Sequence, residues 1–198
     1  MRIPWWKGAL AMGGTLVVLG VGAWAWWTHG AADDRWKAVD RLIERSVGTV
    51  PTISTAELAT RLDRLAHERP LLLDARAPEE YAVSHIEGAR LYDPESPASS
   101  LVDTLDVDAP IVVYCSVGYR SAEVVRHLQA QGFTNVVNVR GSIFMWANEG
   151  RPVVREGEAV RQVHPYDEVW GRLLEEPLRA SEAPARASEA PAPYSTGR

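Results

Sequence analysis

A chain of 198 residues with a formal net charge of -5, 46% hydrophobic and 24% charged residues has room for one globular domain plus appendages. Its acidic balance leaves no basic footprint for nucleic acid. One cysteine excludes an internal disulfide and a cysteine-built zinc site, and five scattered histidines show no paired ligand spacing, so no metal is expected.

At the N-terminus, Arg2 and Lys7 precede an uncharged run over residues 8–27. At about 1.5 Å per residue this run spans about 30 Å as a helix, the thickness of a bilayer core. Trp5 and Trp6 stand at one end and Trp24, Trp26 and Trp27 at the other, as interfacial belts do. The preceding charges favour a cytoplasmic N-terminus. Residues 1–30 therefore read as a single-pass anchor in the cytoplasmic membrane, with the rest of the chain on the outer, periplasmic side. The alternative is a secretory signal cleaved after the small-x-small run Ala23-Trp24-Ala25, which bulky Trp26 and the length of the apolar run oppose.

Residues 31–49 form a linker in which 33–47 predict a short amphipathic helix, with Trp36, Val39, Leu42 and Ile43 on one face. It is too short for a coiled coil, so it carries no clear signal of oligomeric state. Gly48 and Pro51 end it and open a domain expected over residues 50–155.

Within that domain strands and helices alternate. Thr52 to Ser54 is a strand candidate, and Ser54 or Thr55 can cap a helix running to about Ala66, with Glu57 placed for a capping box. Leu71 to Leu73 predict a buried strand ending at Asp74, and Pro78 is suited to open the next helix. Arg90 to Tyr92 is a third strand candidate, and Asp93 to Ala109 is loop-like with one turn of helix near Leu101. Ile111 to Tyr114 and Val136 to Val139 are further strands, and Ile143 to Asn148 a short helix closed by Gly150. The pattern defines an α/β fold with a mostly parallel sheet and helices on both faces. Ligands of such sheets bind beyond the carboxyl ends of the strands.

Cys115 falls there, directly after Ile111 to Tyr114. Gly118 supplies a permissive backbone for a short loop, and from Ser121 the residues Val124, Val125 and Leu128 mark one helical face, closed by Gly132. A helix N-terminus aimed at a thiol, together with inward-turned loop N–H groups, favours negative charge on sulfur. Arg120 adds a cation suited to planar oxyanions. A cysteine so placed is expected to have a lowered pKa and to act as a nucleophile.

Four motifs in order, Asp74-Ala75-Arg76, Pro78-Glu79-Glu80-Tyr81, His85-Ile86-Glu87-Gly88-Ala89 and the loop from Cys115 to Arg120, resemble the rhodanese family over about residues 50–155. The resemblance implies a sulfurtransferase in which Cys115 carries a sulfane sulfur as a persulfide. Arg120 would be its catalytic partner, and Ser116, Val117, Gly118 and Tyr119 the substrate-binding loop. It implies a small-molecule sulfur donor such as thiosulfate, a thiophilic acceptor such as cyanide or a thiol, and no cofactor. The interval is Cys-x4-Arg, the short form typical of sulfur transfer. Phosphatases and arsenate reductases of related fold carry one residue more, which makes that reading the weaker rival. A second rival is a non-catalytic rhodanese-fold module for sulfur binding or protein interaction.

Three further positions support the site in this resemblance. Asp74 faces the same crevice or holds loop N–H groups and Arg76, as similar positions do in rhodaneses. His85 reads as a satisfied core histidine rather than a proton shuttle. Tyr119 either lines the mouth or covers the core. Two departures stand out. Ser142 occupies the second position of a usual Gly-Gly pair, where a positive φ costs a serine about 1 kcal/mol, a matter of local backbone more than of Cys115. Ser84 replaces a glycine before His85 in what reads as a surface turn. Residues 156–176, with Val163-His164-Pro165-Tyr166-Asp167-Glu168-Val169-Trp170-Gly171, are an aromatic-rich extension expected to pack on the domain or the membrane side. Residues 177–198, with Arg-Ala-Ser-Glu-Ala-Pro-Ala at 179–185 and again at 186–192, are expected to be disordered.

Overall fold

The computed structural model describes residues 33–93, 102 and 104–181. The apolar run at 8–27, the turn of helix expected near Leu101 and the tail from 182 onward lie outside them. Among the described residues no helix is long and apolar enough to cross a membrane.

A first helix, α1, covers residues 33–46. Trp36, Val39 and Ile43 are buried, as is Val47 just beyond it, whereas Leu42 is 41% exposed. The apolar stripe thus runs through 36, 39, 43 and 47, and Leu42 is not part of it.

Among the described residues the sheet has five strands: β1 (Thr52–Ile53), β2 (Leu71–Asp74), β3 (Arg90–Leu91), β4 (Ile111–Tyr114) and β5 (Val136–Val139). Their order is β1-β5-β4-β2-β3 and every pairing is parallel. All four residues of β4 are at most 1% exposed. Because alternate residues face opposite sides, both faces of the sheet are covered at its centre.

Helices α2 (Thr55–Leu62), α3 (Pro78–Val83), α4 (Tyr119–Ala130) and α5 (Ser142–Asn148) connect or follow the strands. Ser54 caps α2 and forms a reciprocal capping box with Glu57. Pro78 opens α3, where its missing N–H costs nothing. On one face of the sheet Ile111 and Val113 share a core with Val124, Val125 and Leu128 of α4 and with Phe133. Burying a side chain of this size is worth about 1.5–3 kcal/mol. That cluster holds β4, and with it the residue that follows, in place.

After the sheet comes an antiparallel hairpin, β6 (Val153–Arg155) and β7 (Glu158–Val160), and then two 3-10 turns, Trp170–Leu173 and Glu176–Leu178. Order runs further than the composition implied. Val163 pairs with Arg179 across an isolated bridge, and Leu178 is 9% exposed, so residues 177–181 belong to the fold and not to a disordered tail. Their alanine, proline and arginine content reads as low complexity, but Leu178 supplies an apolar anchor.

Ser84 is not at a surface turn. It is fully buried, and its Oγ is a buried side-chain oxygen with no hydrogen-bond partner. Its φ of -172° is extended backbone, open to any residue. An unsatisfied buried hydroxyl costs about 1–3 kcal/mol. Ser84→Ala should therefore raise stability by about 1 kcal/mol, read as an increased urea midpoint at unchanged slope.

Candidate active site

Cys115 follows β4 at the carboxyl edge of the sheet and is 1% exposed. Its sulfur sits among polar groups. The Gly118 N–H donates to Sγ at 3.2 Å, and Ser121 Oγ lies 3.4 Å from Sγ. Gly118, whose N–H points at the sulfur, is the N-cap of α4 with φ +109°, a left-handed conformation that favours glycine. A Cβ there would meet Ile43 Cδ1 and the Val139 carbonyl only at ordinary contact distance, 3.4 Å, so the backbone conformation is what excludes a side chain.

Ser121 has one proton and two acceptors. The Asn138 Oδ1 contact at 2.7 Å is the stronger, so the hydroxyl rests on Asn138 and can accept from the thiol. On ionisation of Cys115 it can turn to the sulfur. Asn138 in turn donates from Nδ2 to the Gly118 carbonyl at 3.1 Å, tying both sulfur-facing groups to β5.

The loop is held from the other side by α5. Ile143 N–H donates to the Cys115 carbonyl and Phe144 N–H to that of Ser116, each at 3.1 Å. Ser142 has φ +48° and is fully buried. Its Oγ accepts the Cys115 N–H at 3.1 Å and donates to the Val139 carbonyl at 3.0 Å. The serine in place of a glycine thus acts on Cys115 directly, correcting the expectation that it concerned only local backbone. Ser142→Ala keeps the unfavourable φ and leaves a buried N–H without an acceptor, so it should cost about 2 kcal/mol by urea unfolding. Ser142→Gly loses the same bonds but regains about 1 kcal/mol of backbone ease, so it should cost less than the alanine variant.

Arg120 does not stand free at the rim. Its Nη1 and Nη2 donate to the two carboxylate oxygens of Glu80 at 2.6 and 2.9 Å, and Nη2 also donates to Ser116 Oγ at 3.0 Å. Ser116 Oγ donates to Glu80 Oε1 at 2.9 Å. Burial alone would raise the Glu80 carboxyl, but the bonds and charge of Arg120, then Arg76, hold it below the usual carboxylate range. The Tyr166 ring covers the guanidinium at 4.8 Å from its centroid. Val117 is buried, and Tyr119, the first residue of α4, is half-buried.

Asp74 and Arg76 form a separate, fully buried pair. Asp74 accepts from Arg76 N–H, Nε and Nη2 and from Tyr114 Oη at 2.6 Å. Arg76 Nη2 donates on to the Ser84 carbonyl at 2.6 Å. Burial and then Asp74 push the Tyr114 hydroxyl up, so it remains a donor at neutral pH. His85 stacks on Tyr81 at 3.9 Å and bonds the Tyr81 carbonyl through Nδ1 at 3.2 Å. None of these three reaches the sulfur by a direct bond.

Five residues with a part here escape inspection of the loop alone: Glu80, Ser121, Asn138, His164 and Tyr166. Asn138 left a trace, as the one polar residue in Val-Val-Asn-Val, and Glu80 lies within a recognisable motif. His164 and Tyr166 stood out only as part of an aromatic-rich extension near 50 residues beyond the loop, with nothing to link them to Cys115. Among the described residues no group of three His, Cys, Asp or Glu side chains is placed to hold a metal. A cleft of about 810 Å³ opens at the amino ends of β2 and β4, with Pro70, Pro110, Trp146 and Arg151 in its walls. That is the edge opposite Cys115, and it has no part in the sulfur site.

His164 Nδ1 accepts the Tyr166 N–H at 3.0 Å. Burial lowers its pKa, opposed by Glu80 and Glu79 and assisted by Arg76 and Arg120. The neutral ring is the form the fold holds. Its contribution to stability is whole above the ordinary value of 6.5 and is lost as pH falls through the lower folded value. The melting temperature should drop as pH is lowered below the ordinary value of 6.5, and that of His164→Asn, which can accept the same N–H without titrating, should drop less.

The family model for the rhodanese-like domain matches residues 54–149. The thiosulfate sulfurtransferase GlpE of Pseudomonas entomophila is 34% identical over 95 residues, covering 48% of this chain and 86% of that protein. The probable adenylyltransferase/sulfurtransferase MoeZ of Mycobacterium tuberculosis is 36% identical over 103 residues, 51% of this chain but only 26% of the mycobacterial protein. In fold, the chain is similar to a crystal structure of a thiosulfate sulfurtransferase from Pseudomonas aeruginosa, with a TM-score of 0.50 at 24% identity, over 61% of this chain and 23% of that one. The chain belongs to the rhodanese-like domain family, and its homologues include sulfurtransferases.

Proposed function

We propose that this protein is a sulfurtransferase that carries a sulfane sulfur on Cys115. The observation that supports this most is the sulfur at a parallel sheet's carboxyl edge with the Gly118 N–H and the Ser121 hydroxyl beside it. The Cys115 thiolate attacks the outer sulfur of thiosulfate. A sulfur–sulfur bond forms to Cys115 as the bond to sulfite breaks, and sulfite leaves with the electron pair. The terminal sulfur of the persulfide, now anionic, is attacked by cyanide or a thiolate, which departs as thiocyanate or a new persulfide and returns the Cys115 thiolate. Charge and atoms balance at each step, and the chemistry is nucleophilic covalent catalysis. Arg120 serves here as the cation that, fixed by Glu80, holds the loop in shape and lends its field to the departing anion.

The uncharged run at 8–27 supports placing this activity at the outer face of a cytoplasmic membrane. Fractionation of cells expressing the full chain should then find it with membranes, resistant to high salt; recovery from the soluble fraction of the cytoplasm would remove this part of the reading.

Intact mass spectrometry of the full chain after thiosulfate should show a gain of one sulfur atom, lost on adding cyanide and absent in Cys115→Ser. Thiosulfate treatment that adds nothing to the wild type removes thiosulfate as donor. A second reading, a sulfur-binding or docking module without turnover, draws on the 1% exposure of Cys115. On that reading the Cys115→Ser variant keeps its partner, whereas an enzyme loses transfer altogether.

A further inference from the structure

Residues 161–180 lie beyond the matched family domain, yet they are bound to it firmly. Val163 is fully buried and exchanges backbone bonds with Leu178 and Ala180 at 2.8 and 3.0 Å. Asn148 of α5 donates to the Leu173 carbonyl at 2.8 Å and accepts from Glu175 N–H at 2.9 Å. Between these anchors the chain makes a tight turn. Asp167 Oδ1 accepts the N–H groups of Val169 and Trp170 at 2.8 and 2.7 Å. Tyr166, at φ +66°, is held in a conformation that side chains other than glycine rarely adopt. The outcome of this turn is a phenol ring laid on Arg120. Strain maintained by surrounding bonds at such a point is a marker of function.

The ring alters the charge that Arg120 presents toward Cys115. Glu80 already offsets part of the Arg120 charge, and the negative face of the Tyr166 ring screens one side of the guanidinium. Thiosulfate brings two negative charges to a site that must also hold a thiolate. A persulfide of a thiol brings one at most, as R–S–S⁻, and its leaving group is the monoanion R–S⁻.

Resting on the sulfurtransferase reading, we propose that Tyr166 is a specificity-determining residue of the Cys115 site, disfavouring dianionic thiosulfate and leaving thiol persulfides as the preferred donors. In that step the Cys115 thiolate attacks the outer sulfur, the new sulfur–sulfur bond forms, and R–S⁻ leaves with the electron pair of the old one. No oxidant or reductant is needed.

The test is single-turnover loading of Cys115 in the full chain, followed by intact mass, with thiosulfate and with the persulfide of 2-mercaptoethanol as the two donors. Tyr166→Gly removes the ring at a position whose backbone suits glycine, so the fold is kept. The wild type should load faster from the persulfide. Tyr166→Gly should raise the thiosulfate rate constant about three- to fivefold, the value of an exposed cation–π contact, while the persulfide rate stays within about twofold. Tyr166→Phe, which keeps the ring, should keep the wild-type ratio. An unchanged ratio in Tyr166→Gly, whether both rates fall together or neither moves, overturns the role of Tyr166 and leaves the sulfurtransferase reading intact. A wild type that loads from neither donor overturns both.

Discussion

A carboxylate placed out of water must be surrounded by donors or it will not stay ionised, and Glu80 is 2% exposed. It receives Arg120 through both oxygens, Ser116 Oγ and the Ala77 N–H. Ser116 belongs to the loop after Cys115, Arg120 to the first turn of α4 just beyond it, and Ala77 to the cap of α3. The loop is therefore closed against α3 by charge and against α5 by backbone bonds from Ile143 and Phe144. Removing the carboxylate would leave a largely enclosed guanidinium without its counter-charge, a change that reaches the loop before it reaches anything else.

Beneath this lies a second charged pair, Asp74 with Arg76, which is wholly enclosed and bonded through Tyr114 to the Ile86 N–H. It ties β2 and β4 to the turn that carries His85. The two pairs divide the labour: one holds the sheet edge together, the other shapes the loop on top of it. Ser142 adds a third constraint by gripping the Cys115 N–H itself, at the cost of its own left-handed backbone.

Much of the fold was legible in the chain because parallel strands buried on both sides announce themselves as short apolar runs. Leu71 to Leu73, Ile111 to Tyr114 and Val136 to Val139 are all strands where expected, and Ser54 with Glu57 forms its box. The loop around Cys115 was legible because motifs in register constrain one another. What was hidden depends on contacts between residues far apart in sequence. Neither that Ser84 would be enclosed, nor that Arg120 would meet Glu80 forty positions earlier, follows from local periodicity. The ordered stretch at 177–181 was hidden for a different reason: a composition of alanine, proline and arginine says little when a single Leu178 decides the packing.

If Cys115 carries sulfur as proposed, the groups beside Sγ bear on how a loaded site would differ from an empty one. Gly118 N–H and the Ser121 hydroxyl converge on one sulfur, Sγ of Cys115. Once a second sulfur is attached, the charge sits about 2 Å further out, one bond length away. The inner atom is then neutral, and the Ser121 proton has no reason to leave Asn138. On that proposal, loading would release a tether between β5 and the sulfur, so the occupied form would differ from the vacant one in its internal bonding as well as in mass.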